Sequence, residues 1–201
     1  MADYKVVLGL GAIAIGFVAY IPYFINIFGR RTKPHVFSWF VWGLLEGIAF
    51  FAQLSKGAGA GAWATGFTAM MCFVIAAAAI FRGEKQITNP DWWSFFGALL
   101  GLVLWQMTDS PLLAIILVSL VDALAFVPTF RKSFFKPYEE TATTYSLGIF
   151  KAAISLVALE AFNTTTWLYP ASLVLTNTLF VTMLLVRRRK ISRETVIYSR
   201  S

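Results

Sequence analysis

The sequence from Ala19 to Glu46 reads AYIPYFINIFGRRTKPHVFSWFVWGLLE and decides the fold. It contains the end of one apolar segment, a basic hairpin and the beginning of a second apolar segment. A degenerate copy of this pattern, FVPTFRKSFFKPYEETATTY, occupies residues 126–145, and Pro128 follows Pro22 by 106 positions. The spacing predicts an internal repeat, which determines how the whole chain is divided.

The composition is typical of an integral membrane protein. Of the 201 residues, 58% are hydrophobic and 13% are charged, and the mean hydropathy is +0.70. Soluble domains have about 45–50% apolar and about 25% charged residues. The first apolar segment begins near Val6 and is not closed by a small-residue cleavage site, so we expect a retained membrane span and not a signal peptide.

Apolar segments of about 20 residues predict seven membrane-spanning helices in an all-α protein. The predicted spans are 6–28, 36–54, 60–81, 92–108, 111–130, 142–160 and 166–186. Two three-helix repeats of the same orientation are joined by the fourth span, a 3+1+3 arrangement. The corresponding domains are residues 1–88 for the first repeat, 89–109 for the linker helix, 110–188 for the second repeat and 189–201 for a cytoplasmic tail.

The basic residues follow the positive-inside rule. Fourteen lie in loops and the tail on one side of the predicted membrane, whereas only Lys5 and Lys56 lie on the other. We therefore expect the N-terminus outside the cell and the C-terminus in the cytoplasm. The net charge of +7 is then a topology signal, and no soluble basic face with interleaved aromatic residues indicates nucleic-acid binding.

Taken together, the seven spans, the external N-terminus and the proline before each basic loop resemble the SWEET and PQ-loop superfamily. In PQ-loop proteins Gln follows the proline, whereas Tyr and Thr follow Pro22 and Pro128 here. SWEET sugar carriers have prolines inside the second helix of each triplet, whereas Pro34 and Pro137 precede those helices here. The segment TKPHVFSW at residues 32–39 is most similar to small bacterial relatives, which implies the inner (plasma) membrane of a bacterium.

Three ionisable residues lie within predicted spans, where charges are costly and usually functional. Glu46, Asp122 and Lys151 are all about nine or ten residues from the basic side, so a rise of about 1.5 Å per residue puts them at similar depth. The repeat offset aligns Glu46 with the residue after Lys151 and aligns Asp122 with Gly16. We expect the three charges to meet near the membrane midplane.

Helical spacing extends this candidate site. Ser38 and Trp42 share one face of the second span with Glu46, and Thr144 shares one face of the sixth span with Lys151. Polar faces of membrane helices are expected to face inward. The resemblance to SWEET-like carriers further implies that Asn177 and Trp42 line a substrate pocket.

Pro22 and Pro128 remove backbone hydrogen bonds inside predicted helices, so each is a candidate hinge or a static kink. His35 is the one histidine and Cys72 the one cysteine, and this pattern predicts no metal site and no cofactor.

The function favoured by these features is a secondary transporter or facilitator of a small polar solute. Access would alternate around the midplane cluster, with or without proton coupling. A purely structural ion pair of Lys151 with Glu46 or Asp122 is an alternative reading. A membrane receptor or binding protein resembling KDEL receptors is the second functional class.

We expect no enzyme, because no nucleophile, base and orienting group occur at a defensible spacing. The expected partners are the solute and the lipid bilayer, and homo-oligomerisation stays open.

Overall fold

The computed structural model describes residues 2–107 and 110–198, and throughout these ranges the regular secondary structure is helical. Residues 108 and 109, at the end of the predicted linker helix, lie outside the described residues, as do residues 199–201 of the predicted tail. The α-helices within the described ranges are α1 (Ala2–Phe28), α2 (Val36–Ser55), α3 (Trp63–Arg82), α4 (Asn89–Gln106), α5 (Pro111–Phe135), α6 (Ala142–Ala158) and α7 (Thr164–Tyr198). Short 3-10 turns occupy Gly59–Ala62 and Pro137–Glu139. The all-α prediction is confirmed.

Five helical segments are long and apolar enough to cross a membrane. They are Tyr4–Phe28, Val36–Ser55, Gly59–Arg82, Pro111–Phe135 and Thr164–Ile191. Helix α6 is apolar but shorter, with 17 residues, and α4 has 18 residues. Large apolar side chains such as Phe81, Phe150 and Leu175 are exposed on the outside of the bundle. These features identify a membrane protein, because large exposed apolar surfaces are favourable in contact with lipid and unfavourable in contact with water.

Local signals explain where the helices begin and end. Helix α1 ends where Arg30 adopts a left-handed conformation with φ 58°, and the amides of Arg31 and Thr32 donate to the Asn26 carbonyl at 2.8 and 3.1 Å. Ser110 accepts a hydrogen bond from the Leu113 amide at the start of α5, a typical N-cap. Helix α7 continues unbroken beyond residue 186, where the last span was predicted to end, through the basic cluster to Tyr198.

The two halves of the chain pack in the same order. In the first half α3 contacts both α1 and α2, and in the second half α7 contacts both α5 and α6. The halves meet where α1 packs against α6 and where α2 packs against α5. Helix α4 packs on the outside of this ring, against α5 and α2. Pro22 and Pro128 lie inside α1 and α5, and Pro170 lies inside α7.

A reciprocal pair of hydrogen bonds joins the halves at equivalent positions. The Ser38 hydroxyl donates to the Ala125 carbonyl at 2.6 Å, and the Thr144 hydroxyl donates to the Ala19 carbonyl at 2.9 Å. The donors are 106 residues apart in sequence, and so are the acceptors. The spacing found between Pro22 and Pro128 therefore recurs in the contacts between the two halves.

Candidate functional site

A polar cavity lies at the centre of the helix ring, and we call it the central cavity. All six ring helices contribute to its lining, represented by Gly16, Trp42, Thr68, Asp122, Lys151 and Asn177. The volume open to the centres of water-sized atoms is about 70 Å³. One water requires roughly 10–15 Å³ by this measure, so the cavity has room for several waters or a small solute.

Most of the predicted site residues lie around this cavity. Trp42, Glu46, Asp122, Thr144, Lys151 and Asn177 line it. Ser38 is not among the lining residues, because its hydroxyl is used between α2 and α5, where it bonds Ala125 and accepts a hydrogen bond from Thr129 at 3.0 Å. Asn177 donates from Nδ2 to the Leu173 carbonyl at 2.7 Å, which fixes the orientation of its amide.

The three buried charges do not form a direct ion pair. Within the described residues, no Lys151 nitrogen lies within 4.0 Å of a Glu46 or Asp122 oxygen. The Lys151 ammonium instead donates to the Thr68 hydroxyl, and the Tyr169 hydroxyl donates to Asp122 Oδ1 at 3.4 Å. Glu46 Oε2 and Asp122 Oδ2 have no hydrogen-bond partner in the part of the chain that the structure describes. The alternative of a tight structural ion pair therefore lacks the contact that it requires.

Aromatic side chains form the wall of the cavity toward the basic loops. The Trp42 ring lies 4.7 Å from the Phe126 ring and 5.2 Å from the Trp39 ring, measured between centroids. Trp42 Nε1 and the Tyr145 hydroxyl are buried and have no hydrogen-bond partner among the residues that the structure describes. Two polar groups on an otherwise apolar wall are thus available to a bound solute.

Several lining residues were not selected from the sequence. Tyr20, Tyr145 and Cys72 line the cavity, and Tyr169 contacts Asp122. Aromatic residues near membrane interfaces usually form lipid-facing belts, so their identity alone did not indicate a site. Tyr20 follows Gly16 by four positions, and Cys72 follows Thr68 by four. This four-residue helical spacing on α1 and α3 is the signal that could have identified Tyr20 and Cys72.

Ion pairs close the end of the bundle at the predicted basic loops, which we call the basic end. Lys132 pairs with Glu140, and both side chains are almost completely buried. The Lys132 ammonium also donates to the Lys33 carbonyl at 2.8 Å, and the Lys33 ammonium lies 2.6 Å from Glu139 Oε1. The connections 29–35 and 136–141 are thereby joined across the two halves.

Two further ion pairs attach the α3–α4 connection and the first turn of α4 to the end of α5 and the residue that follows it. Arg131 donates to the buried Asp91 carboxylate at 2.7 and 3.1 Å, and the Lys136 ammonium lies 3.1 Å from Glu84 Oε2. Burial acts to raise the pKa of Asp91, but hydrogen bonds from Arg131 and Thr88 outweigh it, so the pKa lies below its usual value.

His35 and Glu84 show the same competition between burial and charge. Burial lowers the pKa of His35, against the opposing effect of Asp91, whose Oδ2 is 3.5 Å from His35 Nε2. For Glu84, burial acts to raise the pKa, but the Gln86 amide and the Lys136 ammonium together lower it. His35 is therefore neutral and both carboxylates are ionised at pH 7.

Backbone contacts close the opposite end of the bundle, which is formed by connections 56–62 and 159–163. The Glu160 amide donates to the Ala58 carbonyl and the Ala161 amide donates to the Gly57 carbonyl, both at 3.2 Å. A Cβ atom placed on Gly61 would lie 2.9 Å from the backbone nitrogen of Leu159. The chains approach so closely here because the α2–α3 connection is rich in glycine and alanine.

A second, much smaller cavity of about 10 Å³ lies on the other side of Glu46 and Lys151, where it is also lined by Thr65 and Pro170. Glu46 and Lys151 border both spaces. Leu173 also lines both spaces.

Comparison of the chain with protein-family models, with curated proteins and with solved structures returned no match. The site is therefore interpreted from its own geometry.

Proposed function

We propose that the protein is a secondary transporter or facilitator of a small polar solute. In this proposal the seven helices form two parallel triplets joined by α4, as in the SWEET and PQ-loop superfamily. The observation that supports it best is a polar cavity at the interface between the two halves, with separate closures at its two ends. Transporters built from parallel repeats place their substrate sites at such an interface near the midplane.

Alternating access would arise from rocking of one half against the other. The contacts that would break at the basic end are side-chain ion pairs such as Lys132–Glu140. The contacts that would break at the opposite end are backbone hydrogen bonds between residues 57–58 and 160–161. Pro22 and Pro128 lie inside helices on each side of the interface, and we assign them as hinges. The proposed orientation has the N-terminus outside a bacterial inner membrane and the basic end in the cytoplasm.

Cys72 is a natural reporter for this cycle. It is the one cysteine of the chain, it is buried, and it lines the central cavity. We expect small membrane-impermeant thiol reagents to label Cys72 slowly from one side at a time in oriented proteoliposomes. A cavity that is labelled from neither side, even during solute addition, contradicts alternating access. A Cys72→Ser variant is the control for non-specific labelling.

A flux assay distinguishes transport from ligand binding by a receptor. Solute uptake into proteoliposomes, compared with protein-free liposomes, is expected to be saturable. Saturable binding without flux would instead indicate a receptor of KDEL-receptor-like architecture. Solute turnover into a new compound would indicate an enzyme and overturn the proposal.

A further inference from the structure

The charges around the central cavity are not balanced. Two carboxylates, Glu46 and Asp122, and one ammonium, Lys151, line it. Lys151 interacts electrostatically with Glu46 and donates to Thr68. Asp122 has no cationic partner within 4.0 Å among the described residues, and its Oδ2 has no hydrogen-bond partner within the protein.

The imbalance arises where the two halves differ. At the α1–α6 interface Lys151 lies over Gly16, because a Cβ atom on Gly16 would be 3.3 Å from Lys151 Cδ. At the equivalent α2–α5 interface, the repeat offset aligns Asp122 with Gly16, and Glu46 lies one position after the residue that aligns with Lys151. One wall of the cavity therefore has a single cation and the other wall has two anions.

The anionic wall continues into aromatic rings. Trp42 precedes Glu46 by one helical turn, and Phe126 follows Asp122 by one turn, and their rings pack at 4.7 Å. Faces of tryptophan and phenylalanine rings attract cations, most strongly where water is excluded. Trp42 is 6% exposed and Phe126 is 4% exposed. The carboxylates and the ring faces thus both favour a cationic ligand.

We propose that the central cavity binds a small organic cation, a protonated amine attached to an apolar or aromatic body. The ammonium group lies at Asp122 Oδ2, and the apolar body lies against Trp42 and Phe126. The Tyr145 hydroxyl is available for a polar substituent. This inference rests on the proposed function for its biological meaning, but the binding itself does not require transport.

Other ligand classes fit the cavity less well. A neutral solute leaves Asp122 without a counter-charge, so the carboxylate either stays buried as an unpaired charge at a cost or takes up a proton. An anion meets two carboxylates and only one ammonium, that of Lys151. A zwitterion leaves the excess negative charge in place. A net cation neutralises the charge of the site and provides a hydrogen-bond donor to Asp122 Oδ2.

Four compounds that share a phenylethyl group test the inference. Phenethylamine is the cation, 2-phenylethanol the neutral analogue, 3-phenylpropanoate the anion and phenylalanine the zwitterion. Their effect on the Tm of the full chain in phosphatidylcholine nanodiscs, together with calorimetric binding, measures selectivity. We expect saturable binding and a raised Tm with phenethylamine, and weaker effects with the other three. The alcohol also controls for partition into the lipid.

Two variants localise the binding. Asp122→Asn is expected to weaken phenethylamine binding about 10- to 100-fold, the range for loss of a charge-assisted hydrogen bond. Glu160→Gln is the matched control, because Glu160 is an exposed carboxylate at the opposite end. It is expected to bind phenethylamine like the wild type. If Asp122→Asn does not fold, the selectivity of the wild-type protein still decides the question.

The outcomes for binding and transport are separable. Absence of phenethylamine binding to the folded wild type, or equal binding of the alcohol, the anion or the zwitterion, overturns the inference. Phenethylamine binding without flux leaves the inference intact and contradicts the transport proposal. Flux of a solute that phenethylamine does not inhibit leaves the transport proposal intact and overturns the inference.

Discussion

The basic end and the opposite end of the bundle both join the two halves of the chain, but by different interactions. At the basic end the contacts are ion pairs between long side chains, including Lys132–Glu140 and Lys33–Glu139. At the opposite end they are mainly backbone hydrogen bonds between connections 56–62 and 159–163, to which the Lys5 ammonium adds a bond to the Leu159 carbonyl and the Glu160 carboxylate accepts one from the Ala60 amide. Ion pairs respond to pH, salt and single charge changes, whereas backbone contacts respond mainly to steric changes. The two ends can therefore be opened by different perturbations.

Removal of the buried lysine at the basic end is expected to have the largest effect. Lys132→Met leaves the Glu140 carboxylate buried without its partner, and breaking such a pair costs about 3–5 kcal/mol. Chemical denaturation in detergent measures the loss, and labelling of Cys72 from the basic end should become faster. The Lys132→Met/Glu140→Leu double variant should recover much of the stability. A loss below about 1 kcal/mol in the single variant would show that the pair does not stabilise this end.

Neutralisation of Asp91 is expected to have the next largest effect. Asp91→Asn weakens two hydrogen bonds from Arg131 and should cost about 1.5–3 kcal/mol at pH 7. Because the folded-state pKa of Asp91 lies below its unfolded value, its contribution is present above about pH 4 and is lost as the pH falls through the folded pKa. Unfolding midpoints between pH 7 and pH 3 test this, and Asp91→Asn should show a weaker acid dependence than the wild type.

A steric change at the opposite end is expected to have a comparable or smaller effect. Gly61→Ala places a Cβ atom 2.9 Å from the Leu159 backbone, and such overpacking typically costs about 1–3 kcal/mol. Gly47→Ala is the matched control, since a Cβ atom there meets nothing within 4 Å, and it should stabilise α2 by up to about 1 kcal/mol. Similar effects of the two substitutions would refute close packing at this end. Unlike Asp91→Asn, the Gly61→Ala effect should not depend on pH.

The smallest effect among these variants is expected at a partly exposed ion pair of the basic end. Lys136 is about one-third exposed, and its ammonium lies 3.1 Å from Glu84. Lys136→Met should therefore cost about 1 kcal/mol or less, and the difference from the wild type should shrink as salt is raised to about 1 M. Denaturation at low and high salt measures this. An effect as large as that of Lys132→Met would mean that burial does not rank these ion pairs.

The sequence predicted which charges could meet but not how they would be paired. The helical rise predicted a similar depth for Glu46, Asp122 and Lys151, and in the structure all three line the central cavity. Their lack of a direct ion pair depends on rotamers and on Thr68, which lies on another helix. Helical spacing likewise placed Ser38 on the correct face, but its short side chain reaches the Ala125 carbonyl before it reaches the cavity.

The closures of the two ends were not predicted. Arg131, Lys132 and Lys136 were interpreted as topology signals, and their partners Asp91, Glu140 and Glu84 were not identified. Each of these pairs depends on the path of a connection between helices. Lys132 and Glu140, for example, come together because of the turn that follows α5. Loop paths follow from packing of the helices that they connect, and no periodic pattern records them.

The sequence by itself determined the helical class, the membrane character, the positions of most helices and the 106-residue offset between the halves. These features depend on local physics, namely the length of apolar segments, the helical rise and the effect of proline and glycine on the backbone. Tertiary structure alone decided the central cavity, the separation of the Lys151 ammonium from the Glu46 and Asp122 carboxylates and the different closures of the two ends. Those features join side chains that are far apart in the chain, and their geometry exists only once the two halves have packed together.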